Sequence, residues 1–431
     1  MHATDLLRRI IRDTSLLFGC WLLISSSVFA EDVIQRSANL PKTQPWDLAK
    51  LSVAPKFTWI DQKSPVRSLT YVGENYQGHP TSVFAYYATP GSIMGDESLD
   101  KDLPAVVLIH GGGGTAFREW AELWAKRGYA AIAMDLAGAR PIEGQNPHDH
   151  KNRTRLPDGG PNQTDQEKFQ AIDQPVTEQW QYHAVANAIL AHSLILSFPE
   201  VDAERSAVTG ISWGGYLTCI VAGVDTRFDA AVPVYGCGYL LDNSVWLIQF
   251  AAMSPEQRKR WQTLWEPSQY LPAVEMPILM VNGTNDFAYP LDSYMKSYHA
   301  VPVAADKQLA ITVKMPHGHT VGWAPPVIGR FIDQHLRKSE TLPKLALPIV
   351  NGENVQLEII AGKPTQAAIH WTADAKPVNQ HEWQSREATL HAGKVIAPKP
   401  PEDAKIWFMT VTTEDGSTIS SEIVLADSAN N

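Results

Sequence analysis

An α/β fold, a doubly wound and mostly parallel sheet followed by a small all-β sandwich, is what this sequence predicts, and three observations carry it. Continuous apolar runs at 105–110 and 129–136 have the character of strands buried on both faces of a parallel sheet. From there to about residue 335 such runs alternate with longer stretches whose apolar residues recur at helical spacing. Beyond Ser339 the helical spacing stops and only strand-like runs remain. A length of 431 residues accommodates one large domain and a smaller one.

Taken in order, residues 56–60, 68–72 and 82–88 read as lead-in strands separated by Gly and Pro. The strand at 105–110 is followed by a helix at 116–127, and the strand at 129–136 by a polar, Pro- and Gly-rich insertion at about 138–175. That insertion is too long for a plain connection. A helix at about 177–198 ends at Pro199. A strand at 207–211 runs straight into a helix at 213–222, and a further strand spans 230–235. Residues 238–272 carry many large aromatics but no sheet pattern, which marks a second lid-like insertion. Strands at 277–282 and 308–315 each lead into a helix, the second ending near His335. In the last part, 355–361, 367–372, 406–412 and 418–425 read as strands, with Asp415-Gly416 as a tight turn. The expected division is therefore 31–338 for the catalytic domain and 339–431 for an immunoglobulin- or fibronectin-like sandwich.

Residues 1–30 have the form of a signal peptide. Arg8, Arg9 and Arg12 precede an apolar run at 16–24, and Val28 and Ala30 put small residues at −3 and −1 of a cleavage site. The run is shorter than the ~20 residues of a membrane span. Cleavage near Ala30 and a periplasmic or extracellular location are expected, with no stable membrane association afterwards. A net charge of −10 leaves no basic excess to meet phosphates, so a nucleic-acid partner is not expected. Of three cysteines, Cys20 lies in the leader. Cys219 and Cys237 read as two separately buried thiols, although an oxidising compartment would permit a bond.

The chemistry is carried by four short strings. In Gly210-Ile211-Ser212-Trp213-Gly214-Gly215 a strand ends and a helix begins around Ser212, a turn so tight that glycine must flank the serine at two residues. The serine hydroxyl then sits at a helix N-terminus, where backbone N–H groups favour a developing anion. His110-Gly111-Gly112-Gly113-Gly114 follows an earlier buried strand, and its glycines let amides approach an acyl group. An oxyanion hole from Gly111, Gly112 and Trp213 is expected. The alternatives are a plain flexible loop or a phosphate cradle, and no Lys-Ser/Thr follows to support the latter.

Asp286 ends the string Gly283-Thr284-Asn285-Asp286 after a buried strand, placed to orient a histidine; a helix N-cap is its bland alternative role. Pro316-His317-Gly318-His319 follows the last strand of the series and offers two bases. His319, which follows a glycine, is preferred as the base over His317. Tyr235 and Trp323 lie near enough in sequence to these strings to serve as substrate contacts. Tyr239, Trp246, Phe250, Trp261 and Trp265 offer faces on which a sugar could stack, the bland alternative being that half of these aromatics simply pack the lid and core. His148-Asp149-His150 and the acidic stretch 158–165 have ligand chemistry, but without further ligands at a familiar spacing they read as a solvated loop, and no metal is expected.

With these strings in order, the chain resembles the secreted esterase branch of the α/β-hydrolase superfamily, near the acetyl xylan esterase and prolyl oligopeptidase-like groups. The resemblance covers about residues 80–337. It implies a triad of Ser212, Asp286 and His319, an acyl-enzyme, and no metal or organic cofactor. It also implies an ester substrate such as an acylated carbohydrate or another small acyl ester. A prolyl oligopeptidase-like aminopeptidase is the alternative. Such peptidases carry a β-propeller first, and the roughly 75 residues between Ala30 and the glycine loop are too few for two blades. The oligomeric state is left open.

Overall fold

The computed structural model describes residues 40–425. The N-terminal leader expected at 1–30 lies outside them. Among the described residues no helix is long and apolar enough to cross a membrane.

The strands, in chain order, are β1 (Phe57–Asp61), β2 (Arg67–Val72), β3 (Ser82–Ala88), β4 (Leu103–Ile109), β5 (Ala130–Met134), β6 (Ala139–Pro141), β7 (Arg153–Arg155) and β8 (Val201–Ile211). Next come β9 (Ala230–Val234), β10 (Ile278–Gly283) and β11 (Lys307–Thr312). The C-terminal part adds β12 (Lys344–Leu345), β13 (Ile349–Asn351), β14 (Asn354–Ala361), β15 (Gln366–Thr372), β16 (Gln384–Glu387) and β17 (Thr389–His391). It ends with β18 (Lys394–Pro398), β19 (Ile406–Thr412), β20 (Thr418–Ser420) and β21 (Val424–Leu425).

The central sheet runs β1-β2-β3-β5-β4-β8-β9-β10-β11. The three lead-in strands join it antiparallel, and β5, β4, β8, β9, β10 and β11 are mutually parallel. β4, β5, β9 and β10 are buried along their whole length, as their unbroken apolar runs require. The chain steps from β4 to β5 on one side and then to β8 on the other, so the strand order reverses between β4 and β8, and the carboxyl ends of these two strands are where open α/β sheets place their sites. Helix Trp180–Ile195, with all sixteen residues buried, packs beside β4 and β5.

Both insertions are folded. Residues 138–175 form the β6–β7 hairpin and helix Asp165–Phe169, and 238–272 form helices Leu247–Ala251 and Pro255–Trp265 without a strand. The second of these helices starts at a capping box in which Ser254 and Gln257 bond each other's backbone.

The C-terminal strands lie in two layers, as a sandwich requires, but one layer is not separate from the central sheet. β20 pairs antiparallel with β11, and the path continues β20-β19-β15-β16, with β21 on β19, to make fourteen strands among the described residues. The other layer is β12-β14-β18-β17, with β13 on β14. The join is small: Leu309 faces Ser420, whose hydroxyl accepts the Ile311 N–H at 2.7 Å. It covers the edge of β11, which would otherwise present unpaired backbone groups. Cys219 and Cys237 are both buried and free.

Candidate active site

Ser212 stands between the end of β8 and the start of helix Trp213–Val224, with φ 58° and ψ −116°. A non-glycine residue held there costs about 1–3 kcal/mol of strain, which the surroundings must hold in place. They do so with backbone: the Ser212 N–H donates to Val234 O (2.8 Å) and Ser212 O accepts from Tyr216 N–H (2.9 Å). The flanking glycines are required by close approach. A Cβ at Gly210 would run into the carbonyl oxygen of Gly214, and one at Gly214 into that of Ile109.

The Ser212 hydroxyl donates to His317 Nε2 at 2.9 Å, and His317 Nδ1–H donates to Asp286 Oδ2 at 2.7 Å. The other carboxylate oxygen of Asp286 accepts from the N–H groups of Ala288 (2.8 Å) and Tyr289 (2.9 Å). Those two bonds aim the free edge of the carboxylate at the histidine. Asp286 is 1% exposed, the His317 side chain 14% and Ser212 9%, so the acid is the most deeply buried of the three. Such an arrangement can draw a proton from a hydroxyl and hold the resulting imidazolium.

His319 is not part of this line, and here the sequence-based expectation is corrected. It opens the short helix His319–Trp323, and its Nε2 accepts the Gly111 N–H at 3.0 Å. Its ring lies against Phe117, 4.7 Å between centroids. Burial, helped by His110, His148 and His317, pushes its pKa down to about 3. A neutral ring whose lone pair is already taken by an amide is not a base for Ser212. The glycine-before-histidine cue failed because the turn between β11 and that helix decides which imidazole faces the serine.

The same bond corrects the place of Gly111, whose N–H is engaged by His319 and not directed at an oxyanion. Gly112 packs against the Trp213 ring, where a Cβ would come within 2.8 Å of Cδ1. The backbone amides of Gly112 and Trp213 remain the candidates for that role. His110 shapes the loop: Nε2 accepts from Leu136 N–H (2.9 Å), which leaves Nδ1–H to donate to Gly111 O (2.7 Å). From the first insertion, Arg153 donates to Gly114 O (2.6 Å), and Lys168 sits over the Trp213 ring at 4.6 Å.

A strained serine at a strand-to-helix elbow, in line with a histidine and a carboxylate beyond the ends of parallel strands, is a hydrolase arrangement. The profile of the dienelactone hydrolase family matches residues 90–319, more than half of the chain. The chain belongs to the dienelactone hydrolase family. It is thus a hydrolase of the α/β-hydrolase fold.

Among relatives of this family member, an uncharacterised peptidase, YuxL of Bacillus subtilis (strain 168), is 28% identical over 231 residues. That match spans 48% of this chain and 30% of the relative, less than a third of its length. Among solved structures, an acetyl xylan esterase from Paenibacillus sp. R4 is 20% identical with a TM-score of 0.49, covering 70% of this chain and 99% of that one. The acylaminoacyl peptidase of Pyrococcus horikoshii is 19% identical with a TM-score of 0.45, covering 65% and 43%.

Two expected substrate contacts of this dienelactone hydrolase relative have other surroundings. Tyr235 is fully buried; its hydroxyl donates to Pro316 O (2.7 Å) and its ring lies 4.4 Å from that of His317. It supports the histidine from behind and is not open to a substrate. Trp323 is half-buried, stacked on Trp120 at 5.1 Å and edge-on to Phe117 at 5.4 Å, so it keeps a free part of its ring. His148 pairs with Glu119 (2.8 Å) and stacks on Phe117, and no group of three or more ligand residues is placed to hold a metal among the described residues.

Sequence reasoning missed Phe287 and Tyr289, and read Trp246 only as one member of an aromatic set between sugar stacking and packing. Phe287 is 50% exposed with its ring 5.2 Å from His317, and Tyr289 lies 5.0 Å from Trp246. The first two follow Asp286 directly, a position that could have singled them out. The C-terminal sandwich also reaches the site: Asn285, next to Asp286, donates to His381 O at 2.8 Å, and Lys314 pairs with Glu382 at 2.6 Å.

Proposed function

We propose that this chain is an exported serine carboxylester hydrolase that acts through an acyl-enzyme on acylated carbohydrate or another small acyl ester. Ser212 Oγ attacks the acyl carbon while its proton passes to His317 Nε2. Asp286 holds the imidazolium, and the amides of Gly112 and Trp213 receive the carbonyl oxygen. Collapse of the intermediate releases the alcohol, which takes the proton from His317; water then repeats the sequence and frees Ser212. The observation that carries this reading is the unbroken hydrogen-bonded line Ser212–His317–Asp286 at a strained elbow.

The side chains packed around this line include Trp213, Tyr235, Trp246, Phe287 and Tyr289, an apolar lining that suits the acyl part of an ester. The likeness to the YuxL peptidase supports the second reading, a prolyl oligopeptidase-like aminopeptidase. Export is supported by the leader-like composition of residues 1–30. The test is a panel of acetyl and longer acyl esters against aminoacyl anilides, with fluorophosphonate labelling of Ser212. Acetyl esters are expected to turn over fastest. Anilide turnover with inert esters would replace this reading by the peptidase one.

A further inference from the structure

Behind the hydrogen-bonded line lies a phenol that the scheme above does not use. Tyr289 is fully buried. Its backbone is held at both ends: its N–H donates to Asp286 Oδ1 (2.9 Å), and its carbonyl accepts from Asn282 Nδ2 (3.0 Å). The ring is nearly parallel to that of His317, 14° between planes at 6.3 Å, and meets Trp246 on another side at 5.0 Å. The side chain is therefore fixed to the carboxylate, the imidazole and the aromatic wall together. Yet its hydroxyl, shielded from solvent, makes no well-aligned hydrogen bond among the described residues. The polar side chain it faces is Ser212.

A buried hydroxyl left unpaired forfeits its hydration with nothing in return. Phenylalanine would fill the same space without that cost. The other buried tyrosines around the site have partners: Tyr235 donates to Pro316 O, Tyr294 to Val281 O and Tyr270 to Leu264 O. Tyr289 alone of these four lacks such a partner, and Ser212 is beside it. Burial also raises its pKa well above the usual phenol range, so it stays a hydrogen-bond donor at any working pH.

We propose that Tyr289 is a catalytic residue of this site, donating a hydrogen bond to Ser212 Oγ when charge builds on that atom. This rests on the hydrolase reading above. The donor matters where the Oγ–acyl bond forms and again where it breaks. In the first event Oγ–H passes its proton to His317 as the bond to carbon forms. In the second Oγ leaves with the bonding pair and recovers a proton from His317. In both, negative charge passes through Oγ, and the phenol O–H stabilises it without giving up its own proton. An oriented donor of this kind, in a site that excludes water, is worth far more than in solution.

The test is Tyr289→Phe in the full chain, read by the rate of fluorophosphonate labelling, by kcat and KM on p-nitrophenyl acetate, and by thermal unfolding. Because the hydroxyl is unpaired at rest, its removal is expected to leave Tm unchanged or raise it. Labelling and kcat are expected to fall at least tenfold, with KM within about threefold. Labelling and kcat within twofold of wild type would overturn the proposal, leaving the phenol as packing. A lowered Tm with a parallel loss of activity would overturn it too, as a structural effect. A wild-type chain that resists labelling would instead overturn the hydrolase reading on which the proposal stands.

Discussion

Two Ser–His–Asp lines of hydrogen bonds run through the described residues, and both touch the same strand. In one, Ser212 meets His317 at 2.9 Å and His317 meets Asp286 at 2.7 Å. In the other, Ser206 meets His192 at 2.9 Å and His192 meets Asp225 at 2.8 Å. Bond lengths and residue types do not tell them apart. The surroundings do. Ser206 lies within β8 and is fully buried, as is His192, whose ring stacks on Phe228. Arg227 grips both oxygens of Asp225, at 2.8 and 2.7 Å. Burial alone would raise the Asp225 pKa, but His192 and Arg227 hold it well below the usual carboxylate range. Burial keeps His192 itself neutral. This second line is a satisfied polar core. Ser212 differs in being at a strained elbow, at a helix N-terminus and beyond the carboxyl end of a central parallel strand, and those three features separate a site from a brace.

The sharpest way to break the comparison is to delete each serine. Ser212→Ala is expected to abolish fluorophosphonate labelling and to lower ester hydrolysis by about 10⁴-fold or more, with Tm nearly unchanged. Ser206→Ala should leave the specific activity of folded protein intact. If Ser206→Ala removed labelling, the two lines would have been assigned the wrong way round. Between the two histidines of the 316–319 loop the contrast should be almost as large. His317→Ala is expected to lose about 10³- to 10⁴-fold in kcat, and His319→Ala about tenfold, through a loosened glycine loop. Equal losses would return His319 to the role of base.

Stability should show the reverse order. Asp225→Asn removes the buried charge that His192 and the half-buried Arg227 both hold and is expected to cost about 2–4 kcal/mol by urea unfolding, while kcat survives below the new Tm. Because the Asp225 pKa is lowered on folding, its contribution is present above the ordinary carboxylate value near 4 and fades as pH falls below it. The variant should therefore lose less stability than wild type on acidification through that range. His319 supplies the subtler pH effect. Its pKa of about 3 in the folded chain lies below the unfolded value near 6.5, so the unfolded state binds the extra proton first. Stability should fall as pH drops from about 6.5 towards 3, and His319→Gln should flatten that slope. A slope unchanged by the variant would mean that the ring titrates normally. The smallest effect is expected from Asn285→Ala, which cuts the tie to His381. A two- to threefold fall in kcat, with Tm shifted by a few degrees, would mark the sandwich as a brace for the Asp286 loop.

Much of the site was legible because its requirements are local. A serine between glycines at the junction of a strand and a helix reveals the elbow, since the steric demand falls on neighbours two residues away. The buried strands announce themselves as unbroken apolar runs, and Asp286 stands after one of them. His317 was less legible, because two imidazoles two residues apart are equivalent in sequence and a single turn of backbone decides between them. Tyr289 was invisible in this sense: only the folded chain brings its hydroxyl to Ser212. Gly111 was misjudged for the same reason, since the partner of its amide lies 208 residues away.

Periodicity, glycine placement and strand order along the chain determined the fold class, the elbow at Ser212 and the loop that carries the acid, because each rests on contacts between near neighbours. Tertiary structure alone decided which histidine meets the serine, which imidazole takes the Gly111 amide and how β20 closes the edge of β11. Those choices depend on where distant segments arrive, and a hydrogen bond with a reach of about 3 Å distinguishes positions that a sequence pattern treats as the same.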